Sequence, residues 1–238
     1  MKTELHPAIE RGYANHGWLD TFYSFSFSTY FNPAREQFGY LRVLNDDTID
    51  GGGGFDLHPH NNMEIVTIML EGALEHRDSM GNIQVINPGE VQVMSAGTGI
   101  YHAEYNHSET ETVKLFQLWI FPREKGLKPR YDQKYFADKD AENKLITLVT
   151  PDNAQQDNAL WIHQDAYIST IRLISGGSVS YNVRIPGNGV FVFVIDGNIS
   201  VHENELTSRD AIAISDTESI QIQSVNNSRL LFIEIPMR

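Results

Sequence analysis

GEVQVMSAGTGIYHAE, residues 89–104, reads as strand, turn, strand. Val91 to Met94 is a short apolar run. Ala96-Gly97-Thr98-Gly99 is a glycine-rich turn, and beyond it His102 and Glu104 stand two apart, on one face of a strand. RDAIAISDTESIQIQS, residues 209–224, lies over this stretch without a gap and repeats its pattern. An upstream window behaves the same way: HPHNNMEIVTIMLEG, residues 58–72, lies over VRIPGNGVFVFVIDG, residues 183–197. Both members end in an apolar strand, an acidic residue and a turn glycine. The spacing between windows differs by five residues in the two copies, which a hairpin loop absorbs. Two copies of one β unit are the simplest reading.

Strand signals fill the rest of the chain, among them Tyr40–Leu44, Ile83–Ile86, Val113–Phe121, Ala166–Leu173 and Leu230–Ile235. Turn clusters such as Asp78-Ser79-Met80-Gly81-Asn82 separate them, and helix signals are scarce. Closely spaced short strands predict an all-β sandwich or barrel. The charged stretch after Phe121 breaks the rhythm. The predicted division is residues 1–122, a linker over 123–144, and residues 145–238.

The copies differ at one constellation. His58 and His60 share a strand face, and His102 and Glu104 do the same about forty residues later. Two neighbouring strands can offer three imidazoles and a carboxylate to one divalent first-row metal ion, leaving positions open for chemistry. The ungapped windows set Val183, Ile185, Ile222 and Ser224 opposite these four, so the second copy is expected to hold no metal. His76 and His202 read as strand-surface residues; His6, His16, His107 and His163 as solvent-facing or structural ones. Glu64, four residues after His60, is a lesser candidate ligand.

Composition narrows the function. The chain has 238 residues and a formal net charge of −13, which disfavours nucleic acid and anionic membranes. Cysteine is absent, so thiol catalysis and thiolate metal sites are excluded. No apolar run approaches a membrane span, and the N-terminal residues show no signal-peptide core, so cytoplasm is the expected compartment.

Gly52, His58-Pro59-His60 and Glu64 resemble the first cupin motif, and Gly99, His102 and Asn106 the second. HPHxxxE followed by LEG, with NHGWLDTFYSFSF (15–27), LRVLNDDTI (41–49) and MSAGTGIYHAEYN (94–106), is more specifically similar to the pirin family and its bacterial quercetin 2,3-dioxygenase-like members. That resemblance implies a bicupin: two antiparallel jelly-roll barrels related by duplication, the second metal-free. It carries ligand roles onto His58, His60, His102 and Glu104, and implies that Glu64 is not a ligand. It implies one divalent transition metal, iron foremost, with nickel, copper, manganese, cobalt or zinc as alternatives. The implied activity is ring-opening of a flavonol with O2 and release of carbon monoxide; for such a reaction Glu104 is the candidate general base. The alternative is a metal-dependent redox or ligand sensor that contacts a protein partner. A monomer is expected.

Overall fold

The computed structural model describes residues 1–137, 141–154 and 158–237. Almost every regular element in them is a strand; two short 3-10 turns, Ala8–Glu10 and Asp152–Ala154, are the exceptions. Among the described residues no helix is long and apolar enough to cross a membrane. Each half of the chain builds a seven-stranded sheet and a four-stranded sheet, the two-sheet architecture of a jelly-roll barrel.

The strands obey alternation. Along Val113–Ile120, Phe116 and Leu118 face the other half, while Leu115, Gln117 and Trp119 face the interior of their own. The largest apolar cluster lies between the halves and draws on both, with Leu44, Val66 and Phe116 meeting Phe193, Leu231 and Ile233. The Phe116 and Phe193 rings meet edge-on at 5.3 Å between centroids.

Two strands cross the sequence division. Lys2–His6 pairs antiparallel with Ala211–Ser215 and so edges the sheet of the second half. Arg130–Tyr135, inside the expected linker, pairs with Glu90–Ser95 and edges the sheet of the first half. Its charged sequence masked it, because an edge strand keeps one side and many side chains in water. Residues 138–140 of that linker lie outside the described residues. Of the two readings given for His6, solvent-facing or structural, the structure shows the second: it is only 5% exposed, set against Phe25 and Phe191.

The two interiors differ. The second half has one continuous apolar core, including Tyr181, Val192, Ile212, Ile222 and Phe232. In the first half two smaller clusters stand apart, one around Ile49, Met69 and Leu115, the other around Ile65, Met94 and Ile100. A transverse polar row runs across its large sheet: Asn45 pairs with Gln117, Gln117 with Thr67, and Thr67 with Gln92. The corresponding row of the second half reads Ser169, Phe232, Val192 and Ile212. A sheet interior that keeps such polar side chains out of water carries a cost unless something engages them.

Candidate metal centre

The Gly54–His60 strand lies antiparallel to Ile100–Asn106, with His102 directly opposite His58 and Ile100 opposite His60. The AGTG turn holds these strands together from outside. Gly97 adopts φ 48°, and a Cβ there would run into the backbone carbonyl of Leu127. Its own carbonyl accepts the N–H of Asn62 at 2.9 Å, and Ala96 N–H donates to Met63 O at 2.8 Å. The loop after His60 is therefore pinned to the loop before His102.

Three imidazoles converge. Ring centroids are 4.4 Å apart for His58 and His102 and 4.9 Å for each of the other two pairs. Among the described residues two groups could hold a metal: His58 with His60 and His102, and His76 with His102 and Glu104. Within each group the ligating atoms all lie within 4.8 Å of one another. His102 belongs to both, and the carboxylate falls in the second group.

The chemistry of these donors fits an ion. His58 Nδ1 donates to Asp56 O at 2.7 Å, which leaves Nε2 with its lone pair free. Both nitrogens of His102 and Oε1 of Glu104 are buried and have no partner within the protein. Burial, together with the neighbouring imidazoles, lowers His60 to about 4 and His102 to about 3. Both rings are therefore neutral at physiological pH, the form that ligates.

Glu104 is held from one side. Gln117 Nε2 donates to its Oε2 at 2.8 Å, and Trp119 Nε1 donates to Gln117 Oε1 at 3.0 Å. Trp119 also packs edge-on against His60, at 4.8 Å between centroids. Neither residue stands out in the sequence, where both look like ordinary strand positions. His76 corrects its sequence reading: it is fully buried, pairs with Asp78 at 3.2 Å and packs on Tyr131 at 4.6 Å. It lies directly across from Glu104, as Asp78 does from His102. Glu64 takes no part in either group; it accepts a hydrogen bond from Ser95 at 2.6 Å, and burial raises its pKa.

Strand register also corrects the comparison between copies. Ile222 pairs with Val179 and Ile220 with Tyr181, so the counterparts of His58 and His60 are Val179 and Tyr181, not Val183 and Ile185. The reason is a loop: His60 and Glu64 are four apart, whereas Tyr181 and Gly189 are eight apart. On the other side Ser224 pairs with Ile199, which makes Ile199 the counterpart of His76. Where Trp119 meets His60 in one half, Tyr181 Oη donates to Glu234 at 2.9 Å in the other. Glu234 also accepts the backbone N–H groups of Arg184 and Ile185 and an N–H of Asn188, which completes a closed structural network.

A cavity of about 240 Å³ adjoins the centre. Its apolar wall comes from Trp18, Tyr23, Phe27, Phe55 and Trp119. Its polar lining includes Thr21, Asn45, Asp47, Glu104 and Gln117. Glu104 is the one member of the two metal-capable groups that lines it. Burial, opposed by the Thr21 hydroxyl and reinforced by the charges of Asp46 and Glu104, raises Asp47 to about 7.

Residues 5–120 match the family model described as Pirin, and residues 147–235 match the one described as quercetinase C-terminal cupin domain. The chain is 42% identical over 232 residues to a quercetin 2,3-dioxygenase of Escherichia coli strain K12, spanning 98% of both chains. It is 38% identical over 228 residues to a pirin-like protein of Caulobacter vibrioides, spanning 96% of this chain and 97% of that one. The crystal structure of a bacterial pirin from Escherichia coli in complex with nickel(II) superposes with a TM-score of 0.93 at 40% identity, covering 100% of both chains.

Proposed function

Because this chain belongs to the pirin family, we propose that it is a metal-dependent dioxygenase of the quercetin 2,3-dioxygenase type, opening the central ring of a flavonol with O2. The observation that carries the reading is the position of Glu104, which shares a metal-capable group with His102 and also forms a wall of the aromatic cavity. A flat, hydroxylated ring system seated among Trp18, Phe27, Phe55 and Trp119 has the carboxylate beside it. The identity of the E. coli relative supports the substrate class.

His58, His60, His102 and Glu104 are the residues we assign to the ion, and we take iron as its physiological identity, although the related pirin was solved with nickel(II). When bound, the ion supplies Lewis acidity toward an ionisable hydroxyl and redox chemistry toward dioxygen. The rest of the work falls to the chain. The aromatic wall excludes water and orients the flavonol. Gln117 fixes Oε2 of Glu104, so Oε1, the atom that would serve the ion at rest, is also the one that takes the proton of the flavonol 3-hydroxyl when it turns toward the cavity, leaving the electron-rich enolate that dioxygen attacks. Ring opening then places both oxygen atoms in the products and releases carbon monoxide. The half from residue 145 onward acts as structural support, and the protein works as a monomer.

Oxygen uptake and carbon monoxide release by natively expressed protein of measured metal content, screened over flavonols and small enediols, test the proposal. Flavonol-dependent uptake that scales with bound metal is expected. Its absence at full metal occupancy would overturn the assignment.

A further inference from the structure

The interior strands Leu19–Tyr23 and Leu41–Ile49 put a patch of hydrogen-bonding groups inside the cavity. Thr21 pairs with Asp47 across the two strands, and Asn45, two residues from Asp47, shares its face. All three side chains line the cavity and are at least nine-tenths buried, with Thr21 1%, Asn45 5% and Asp47 4% exposed. Thr21 Oγ1, Asn45 Oδ1 and Asp47 Oδ1 make no well-formed hydrogen bond within the protein, although the Thr21 hydroxyl lies close enough to Asp47 to favour its charged form. Buried acceptors left unengaged are expensive, and a cluster of them facing one cavity marks where a ligand presents donors.

The chemistry of the ligand follows. The aromatic walls take a flat ring. Two carboxyl groups, Asp47 and Glu104, line the same space, so an anionic substituent is repelled and a neutral donor is favoured. The volume, about 240 Å³, suits part of a three-ring molecule, not all of it. We propose that Thr21, Asn45 and Asp47 form a recognition platform for hydroxyl groups on the outer ring of an aromatic substrate, selecting polyhydroxylated rings over bare ones. The inference rests on the flavonol reading above and adds the determinant of selectivity within that class.

The test compares quercetin, whose outer ring is a catechol, with the flavonol carrying an unsubstituted phenyl in its place. Binding to metal-loaded protein is measured by calorimetry without oxygen, and turnover separately by oxygen uptake. The unaltered protein is expected to bind quercetin about tenfold more tightly, as two hydrogen bonds to otherwise unpaired acceptors allow. Thr21→Val with Asn45→Leu removes two of the three acceptors and is expected to bring the two affinities within about twofold. Asp47→Leu, made alone, is the second variant if the pair does not fold. Equal binding of both flavonols by the unaltered protein overturns the platform, as does full preference retained in a folded variant. A tenfold preference without any oxygen uptake leaves the platform standing and overturns the dioxygenase reading instead.

Discussion

Glu104 shows what a single side chain is asked to do here. One oxygen is fixed by Gln117, while the other is buried and unpartnered beside the imidazoles. Glu104→Gln keeps the volume and one oxygen but loses basicity. At matched metal occupancy its turnover is expected to fall about a hundredfold, with a modest loss of metal affinity; near-normal turnover per bound metal would limit Glu104 to ligation. His6 offers a second test at this scale, away from the centre. Burial, with the nearby Arg35 charge, lowers it to about 4, so between that value and 6.5 the unfolded chain binds more protons than the folded one. Stability is full above pH 6.5 and drains as pH falls toward 4. His6→Leu should shrink the stability loss between pH 7 and pH 5 by about 2 kcal/mol, read by urea unfolding at each pH. The convergence of His58, His60 and His102 was legible because two-residue spacing on strands is a strong geometric statement. His76 was not, since its significance comes from the residue across the strand pair, and Gln117 and Asp47 carry no local signal at all.

At the scale of strands and sheets, register decides which residues correspond. The period of two and the turn glycines sufficed to show that two β units exist, and most strands of both were readable from them. Pairing partners were not, because a loop four residues longer in the second unit shifts the strand carrying Val179 and Tyr181 while leaving the hydrophobic pattern intact. Edge strands such as Arg130–Tyr135 escaped for a related reason: half-exposed strands lack the apolar signature. The polar row on the large sheet gives this scale its prediction. Thr67 Oγ1 and both polar atoms of the Gln92 side chain are buried without partners, where the second unit has Val192 and Ile212. Thr67→Val is expected to raise the unfolding free energy by about 1 kcal/mol, because an isosteric methyl replaces an unengaged hydroxyl. A loss of stability in denaturant melts would show instead that the hydroxyl is satisfied, as by an internal water molecule.

For the molecule as a whole, metal binding and folding should separate. The second unit folds with Val179 and Ile222 at the places of His58 and His102, so an apolar barrel needs no ligand there. His58→Ala combined with His102→Ala is expected to leave a cooperatively melting β protein with little bound metal, checked by circular dichroism and elemental analysis; full occupancy would displace the assigned site. The core shared between the units makes that melt a single transition. Lys2–His6 carries a further consequence. Lys2 pairs with Ser215 and His6 with Ala211, across most of the chain length. During synthesis this strand leaves the ribosome some two hundred residues before its partner exists, at a usual pace of about 5–20 residues per second. For roughly ten seconds or longer it has no sheet to join, and its berth opens only when the strand Ala211–Ser215 has been made. A strand made some two hundred residues ahead of its partner thus waits for it, and then closes the far unit like a clasp.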